Sequence, residues 1–529
     1  MNLWNRFMMG SVTSVAGTVM RTAVNVLAIP LLMAVLGSDQ YGLFVLLIGV
    51  VELSLLADLG FSTALTQILG KTLYSGDPVQ DEQARQDALT HETAHVLGIG
   101  QWVYGALTLL MLAAAILLPG LVVGWFHLPL PDIAEGRFLF ALAFVVGAVY
   151  IYSCYFRSVL LTHCLHQWNN LGDVINYVGG TALGLLFVWL GWGLAGFMLA
   201  RLLAAVGMLL LLRRQAAVAQ RETLLLPARI PLTTLRHVLG LTGHAAMNQI
   251  SVIISHKIDT FVIAANLTLR SVGLFEIVVR ITAVIAHLIT RVSQGVFPIF
   301  TYYAARQDRE GARRFYLQYS SLINWVGMLV LMCLAVYFGP VLALFSAGKF
   351  GVEETWPLFA VMLLIVWSAI LQGPAGFYLF ASGEHRFLSV SGLVTAGCNL
   401  GLSLLLVKPY GALGVALGTL IPQGIQHQFF LIGRSNAGLG IRPWEYISRV
   451  HLRFWPVLGA AWAAMMRIGE LPGMRHPVAI VLVSLGVAAA ATVVAYRLVL
   501  QDGERQIIRD RVLTPLFSAR HNARSVSHV

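Results

Sequence analysis

The sequence predicts an all-α polytopic membrane protein with about 14 transmembrane helices, built as two parallel-repeat six-helix bundles and two extra C-terminal helices. Composition, recurring apolar runs and repeated motifs support this prediction. The 529 residues are 58% hydrophobic and only 11% charged, and their mean hydropathy is +0.77. A soluble domain carries about 25% charged residues, so water cannot be the main neighbour of this surface.

Apolar runs long enough to cross a bilayer recur along the whole chain. A spanning helix needs about 20 mostly apolar residues. The first run is longer than the apolar core of a cleavable signal, about 7–15 residues, and we interpret it as the first span. The predicted spans are 8–36, 42–68, 94–123, 138–160, 172–190, 193–213, 241–265, 271–298, 317–340, 356–381, 388–407, 411–432, 452–467 and 477–497.

The basic residues set the predicted orientation. If the N-terminus is cytoplasmic, 23 Lys and Arg residues fall in cytoplasmic segments and 6 on the opposite side. Basic residues accumulate in cytoplasmic loops, so both termini are predicted to be cytoplasmic. The same rule explains the net charge of +11 without nucleic acid, and no nucleic-acid partner is expected. The four scattered cysteines form no C-x-x-C pair, which indicates neither a disulfide framework nor a structural zinc site.

Two motifs occur twice, in the same order. QYGLF (40–44) recurs as SVGLF (271–275), and WGLAGFMLARLL (192–203) recurs as YGALGVALGTLI (410–421). Such parallel repeats are found in transporter halves. The predicted domains are an N-terminal six-helix bundle, a basic cytoplasmic linker, a C-terminal six-helix bundle, two additional helices and a cytoplasmic tail, at 1–213, 214–240, 241–434, 435–500 and 501–529.

The stretch HETAHVLGIGQ (91–101) fits the zinc-protease pattern H-E-x-x-H. In such enzymes two histidines one helical turn apart hold zinc and the glutamate acts as base. Gln101 occupies the place of a third histidine, and no L-D-G carboxylate motif is present. We therefore expect no metal site here and interpret the stretch as the start of a helix. A membrane zinc protease using His91, Glu92 and His95 is a remote alternative.

Several ionisable residues fall within the predicted spans, where they are costly and usually face an interior cavity. A cationic stripe facing a cavity suits an anionic substrate such as a diphosphate, because the arginine fork donates two parallel bonds to phosphate oxygens. The alternatives are an ion pair between Lys257 and Asp259, and snorkelling of the arginines nearest the span ends. The cationic candidates for substrate binding are Arg21, Arg201, Lys257, Arg280 and Arg291; the acids within the spans are Glu52, Asp58, Asp259 and Glu276.

Three stretches resemble one family. The segment 35–67 contains L-G-x-x-x-Y-G-x-F followed by D-L-G. The segment 257–281 contains an Asp, then Val-Gly-Leu-Phe, then an Arg, and the segment 383–421 contains P-Y-G-x-x-G. Together they resemble the Wzx-type polysaccharide (oligosaccharide) flippases of the multidrug/oligosaccharidyl-lipid/polysaccharide (MOP) exporter superfamily, which includes the MATE transporters.

The resemblance implies two six-helix bundles around a cavity that opens alternately to each side of the bacterial inner membrane. It implies a flippase, not an enzyme, that moves an undecaprenyl-diphosphate-linked oligosaccharide to the periplasmic leaflet for O-antigen, capsule or exopolysaccharide. No cofactor is expected. Coupling of transport to H⁺ or Na⁺ is expected, and the candidate coupling residues are Asp58, Asp259 and Glu276. The expected partners are the lipid-linked oligosaccharide, the bilayer, and a polysaccharide polymerase with other assembly proteins. The alternatives are a cation-coupled multidrug exporter, whose cavity should carry excess acid, and a lipid II flippase.

Overall fold

The computed structural model describes residues 3–54, 58, 60–74, 82–125, 133–220, 251, 257–294, 296–469 and 477–508. Within these ranges the regular structure is entirely helical. The all-α prediction is therefore confirmed for the part of the chain that the structure describes. Most of the predicted linker (221–240), the first part of span seven and the tail beyond 508 lie outside it.

The contacts divide the chain into two compact units. The first comprises Met1–Ile277, Phe345–Lys349 and Gly392–Gly418, and the second comprises Val278–Leu344, Phe350–Ser391 and Thr419–Val529. The helices are α1 Leu3–Ser54, α2 Phe61–Tyr74, α3 Glu82–Leu117, α4 Pro119–Trp125, α5 Ile133–Thr162, α6 His166–Asp173, α7 Gly180–Phe187, α8 Gly193–Gln220, α9 (257–266), α10 Leu269–Gln294, α11 Phe297–Ala305, α12 Arg309–Val336, α13 Phe338–Phe345, α14 Val352–Ala381, α15 His385–Ile425, α16 Gly433–Leu439, α17 Pro443–Val450, α18 Trp455–Gly469, α19 Pro477–Val494 and α20 Asp502–Ile508. The predicted domain limits stay predictions.

Eight helical stretches among the described residues are long and apolar enough to cross a membrane. Three of them, Ala16–Ser54, His166–Ala219 and His385–Leu439, are 39, 54 and 55 residues long. Each contains a glycine at positive φ, namely Gly37 (77°), Gly193 (57°) and Gly411 (60°). A side chain disfavours this backbone region, so glycine allows the chain to turn between two successive spans. The breaks fall where the sequence predicts the turns between spans one and two, five and six, and eleven and twelve.

The repeated motifs adopt the same local conformation. Gly193 has φ 57° and ψ −150°, and its counterpart Gly411 has φ 60° and ψ −142°. Three residues on, a Cβ added to Gly196 would lie 2.5 Å from Trp192 Cβ, and one added to Gly414 would lie 3.1 Å from Tyr410 Cβ. In both copies the second glycine lets the new helix pack tightly against the turn. The local geometry therefore agrees with the repeat predicted from the sequence.

The other pair of repeated motifs makes a reciprocal contact within the first unit. A Cβ added to Gly42 would lie 2.0 Å from the carbonyl oxygen of Leu269, and one added to Gly273 would lie 2.9 Å from that of Ser38. Ser38 and Leu269 each lie four residues before the respective glycine. A contact in which each copy presents the same positions to the other is isologous, the mark of two-fold symmetry. Small residues allow such close helix approach in membranes.

In the second unit, the predicted additional helices α18 and α19 pack on α12. Met465 of α18, and Phe454 directly before α18, are fully buried in one cluster with Trp325 and Leu329 of α12. On the other side of α12, Asn324 accepts a hydrogen bond from the indole Nε1 of Trp367 at 3.1 Å. The added pair is thus part of the core of this unit.

Candidate functional site

Two arginines from different helices share one carboxylate in the first unit. Arg21 Nη1 of α1 lies 2.9 Å from Asp173 Oδ2, and Arg157 Nη2 of α5 lies 2.6 Å from Asp173 Oδ1. Asp173 is the last residue of α6. Each carboxylate oxygen is therefore used by a different guanidinium, and the aspartate joins three helices.

A third arginine, Arg201, contacts the same aromatic ring as Arg21. The guanidinium of Arg201, on α8, lies 5.4 Å from the ring centroid of Tyr177, and that of Arg21 lies 5.9 Å from it. Tyr177 belongs to a π-helical turn, Val174–Gly179, directly after Asp173. Such turns are rare and frequent at functional sites. Here the turn places the carboxylate and the aromatic ring among the same cations, since cations are attracted to the ring face.

The backbone around Arg201 is arranged to admit its long side chain. Arg201 Nη1 donates a hydrogen bond to the carbonyl oxygen of Asn176 at 2.7 Å. A Cβ at Gly180 would lie 3.2 Å from Arg201 Nη1 and 3.4 Å from its Cδ. Glycine at this position therefore leaves the space along which the arginine lies, and the residue is 5% exposed.

We call Arg21, Arg157, Asp173, Tyr177 and Arg201 the arginine cluster. Its accessibility is graded: the side chain of Arg21 is 26% exposed, and those of Asp173 and Arg157 are 17% and 16% exposed. The cluster contains three guanidinium groups and one carboxylate, so it has excess positive charge. Inside a membrane protein such a charge is expensive and marks a functional site by default. Chemically, the cluster suits an anion with several oxygens, such as a phosphate or diphosphate.

Of the remaining predicted cations, Lys257 is held by a carboxylate. Its ammonium forms an ion pair with Glu52 of α1, and the two side chains are 38% and 29% exposed. Glu52 also acts electrostatically on Arg201. This pair therefore adds no net charge to the arginine cluster, and a role for Lys257 in substrate binding stays a prediction.

Asp58 lies at the D-L-G break between α1 and α2. It accepts hydrogen bonds from the backbone amide of Ser62 at 3.2 Å, from the Ser62 hydroxyl at 2.8 Å and from the hydroxyl of Tyr104. Gly60 has φ 76° in the same turn. A carboxylate bonded to an amide in the first turn of a helix stabilises the helix start. Capping accounts for Asp58 in this motif, and its role in ion coupling stays a prediction.

Four predicted residues fall on α9 and α10. Asp259 and Glu276 belong to the first unit and are 6% and 8% exposed. Arg280 is half-buried in the second unit, and the side chain of Arg291 lies outside the described residues. Buried carboxylates are the type of group that ion coupling requires, but the proposed roles of all four remain predictions.

Sequence reasoning missed two members of the cluster. Arg157 lies within the predicted span 138–160 but was not among the predicted site residues; the structure places it in α5, bonded to Asp173. Asp173, at the start of span five, was not noted. Its position inside an apolar run was the available signal, but nothing in the sequence pairs it with an arginine 152 positions away.

The H-E-x-x-H stretch lies within the continuous helix α3. The side chains of His91 and Glu92 lie outside the described residues. In the part of the chain that the structure describes, no group of three or more His, Cys, Asp or Glu residues could hold a metal ion. The stretch is helical as expected, but α3 begins at Glu82, so the prediction that a helix starts here is wrong: the stretch lies inside the helix.

Comparison with known proteins gives one partial family match and several similar structures. Residues 166–350 match the family profile described as "Polysaccharide biosynthesis protein". No curated protein matches the whole sequence significantly. A structure of the lipid II flippase MurJ, in an inward closed conformation, is similar with a TM-score of 0.68 at 15% identity, covering 93% of this chain and 99% of that one.

Two MOP transporters are also similar. An inward-facing multidrug resistance MATE transporter gives a TM-score of 0.61 at 13% identity, covering 79% of this chain and 95% of its own. A MOP transporter from Pyrococcus furiosus, described as having a binding pocket of reverse polarity, gives 0.51 at 16% identity, covering 84% and 98%. At these identities the likeness shows the fold, and it is that of MurJ and the MATE transporters.

The chain thus has the fold of MurJ and the MATE transporters, and its described part contains eight helical stretches long and apolar enough to cross a membrane. Residues 166–350 match the polysaccharide biosynthesis profile, in agreement with the resemblance to the Wzx-type flippases. The matched segment begins at the start of α6 and so contains Asp173, Tyr177 and Arg201 of the arginine cluster.

Proposed function

We propose that this protein flips an undecaprenyl-diphosphate-linked oligosaccharide repeat unit from the cytoplasmic to the periplasmic leaflet of the bacterial inner membrane. It does so by alternating access, with both termini cytoplasmic, in the biosynthesis of a surface polysaccharide. The observation that carries the proposal is the arginine cluster, because its excess positive charge fits the diphosphate of such a lipid. The family match supports a polysaccharide precursor as the cargo.

The polarity of the cluster argues against the multidrug alternative. A cation-coupled drug exporter often carries cationic cargo, which needs acidic groups in its path. The cluster holds three arginines, Arg21, Arg157 and Arg201, against a single aspartate, and the Lys257–Glu52 pair is neutral. The other alternative, a lipid II flippase, moves a cargo with the same diphosphate, so the cluster fits both cargoes equally. The two functions differ in the sugar part of the cargo.

We also propose that flipping is coupled to H⁺ or Na⁺ through Asp58, Asp259 or Glu276. The protein is further proposed to act together with a polysaccharide polymerase. Asp259 and Glu276 are the more suitable carboxylates by burial. Asp58 already has three hydrogen-bond donors at a helix start. Substituting Asp259 or Glu276 should therefore change the ion dependence of flipping more than substituting Asp58.

The test is complementation of a deletion strain, scored by surface polysaccharide and by lipid-linked repeat units that accumulate in the cytoplasmic leaflet. Arg21→Gln and Arg157→Gln should fail to complement and should accumulate precursor. Arg137→Gln is the matched control, because Arg137 lies on the same helix as Arg157 but is exposed. His91→Ala should complement. Full complementation by Arg21→Gln and Arg157→Gln, or accumulation of lipid II instead, would contradict the proposal.

A further inference from the structure

Asp173 occupies the position that a phosphate of the cargo needs. Its two carboxylate oxygens take one guanidinium nitrogen each from Arg21 and Arg157, at 2.9 and 2.6 Å. A phosphate accepts from the same donors with the same geometry. The side chain of Asp173 is 17% exposed and that of Arg21 is 26% exposed, so both are open to contact with an incoming anion.

We propose that Asp173 is an exchangeable counter-ion, which the cargo diphosphate displaces from Arg21 and Arg157 on binding and which displaces the diphosphate again on release. This inference rests on the proposed function and concerns the same cluster. In the empty protein, Asp173 neutralises cations that would otherwise lie unpaired in the membrane, a costly state. In the loaded protein, the cargo phosphate neutralises the same arginines.

The exchange also connects cargo binding to helix movement. The Arg21–Asp173 pair ties α1 to α6, and a hydrogen bond from Asn170 Nδ2 to Thr13 Oγ1, at 3.0 Å, ties the same two helices about one turn away along α6 and two turns away along α1. When a phosphate takes Arg21, the ion pair between these helices is lost, while the hydrogen bond between Asn170 and Thr13 remains. An ion pair that exists in only one state is a common switch element. Cargo binding therefore loosens α1 from α6.

Removing the resident anion should tighten binding and slow release. Asp173→Asn keeps the shape of the side chain but withdraws its charge, so the cargo no longer competes with it. Hydrogen bonds to charged groups are strong enough that their loss from the empty state should raise affinity about tenfold or more. Flipping should then show a lower KM and a lower kcat. A purely structural role for Asp173 predicts weaker binding or unchanged KM.

The experiment measures undecaprenyl diphosphate binding to the purified protein in detergent, with inorganic diphosphate as competitor, together with KM and kcat for flipping in vesicles. Tighter binding by Asp173→Asn with reduced kcat is expected. Binding that is unchanged or weaker overturns the exchange. If this variant fails to fold, Asp173→Glu keeps the charge but not the bridging geometry: tighter binding than wild type supports the exchange, and equal or weaker binding overturns it.

The arginine variants separate this inference from the proposed function. If Arg21→Gln and Arg157→Gln leave undecaprenyl diphosphate binding unchanged, the cluster does not bind the cargo and both proposals fall. If they weaken binding while Asp173→Asn does not strengthen it, the proposed function stands and only the counter-ion exchange is wrong.

Discussion

Replacing Gly42 with alanine tests the reciprocal contact between the repeated glycine motifs. The new Cβ would lie 2.0 Å from the carbonyl oxygen of Leu269. A carbon and a carbonyl oxygen in favourable contact are about 3.3 Å apart. The helices must therefore separate by about 1.3 Å at this point, and because the obstacle is backbone, no side-chain rotation can relieve it.

The size of the effect follows from two opposing terms. Overpacking of a well-packed interior costs about 1–3 kcal/mol, and an unyielding backbone puts Gly42→Ala at the upper end. Glycine to alanine in a helix gains about 1 kcal/mol of intrinsic helix stability. The net expectation is about 2 kcal/mol of destabilisation for Gly42→Ala. Gly273→Ala, with 2.9 Å to the oxygen of Ser38, should cost less.

The assay is the midpoint of thermal unfolding of the purified protein in detergent, compared across a matched series. Gly397 is the control: it lies in a helix of the same unit, and a Cβ there would meet nothing within 4 Å. The midpoint should be lowest for Gly42→Ala, higher for Gly273→Ala, and at or above wild type for Gly397→Ala. If Gly42→Ala melts like Gly397→Ala, the reciprocal contact is not a packing constraint and the reasoning is refuted.

Three further predictions concern buried polar groups. Burial lowers the pKa of His451 to about 4, whereas in the unfolded chain it is about 6.5. The contribution of the neutral imidazole to stability is therefore complete above about pH 6.5 and is lost as pH falls towards 4, because the unfolded chain takes up the proton first. Unfolding midpoints should drop over that window, and they should drop less in His451→Phe. Glu504→Gln, which leaves the buried Arg453 charge unpaired, should destabilise by about 3 kcal/mol, whereas Asp502→Asn in the same helix, at a fully exposed side chain, should not change the midpoint. Tyr104→Phe removes a donor to the carboxylate at the D-L-G break and should cost about 1–3 kcal/mol by the same measurement; an unchanged midpoint would show that this bond is not needed.

Much of the fold follows from local rules that a sequence displays. Length and apolarity predict spanning helices, and a glycine between two apolar runs predicts a turn, as Gly37, Gly193 and Gly411 illustrate with their positive φ angles. The contact between Gly42 and Gly273 was not predicted, because a repeat shows that two segments are alike and not that they touch.

The site was predictable only in part, because partnership is a tertiary property. Arg21 and Arg201 stood out as cations within apolar runs, and the structure brings both to Tyr177. Asp173 did not stand out, and its two arginine partners lie 152 and 16 positions away. Which carboxylate neutralises which cation depends on helix packing, and this packing cannot be read from a single sequence.

The most direct test of the central claim is vectorial transport by the purified protein in vesicles. Undecaprenyl-diphosphate-linked oligosaccharide placed in one leaflet is scored by its appearance in the other, detected with a membrane-impermeant lectin. Wild type and Arg137→Gln should move the lipid at equal rates, and Arg21→Gln and Arg157→Gln should be at least about tenfold slower. Equal rates for all four proteins, or transport of a cationic dye in place of the lipid, would contradict the account.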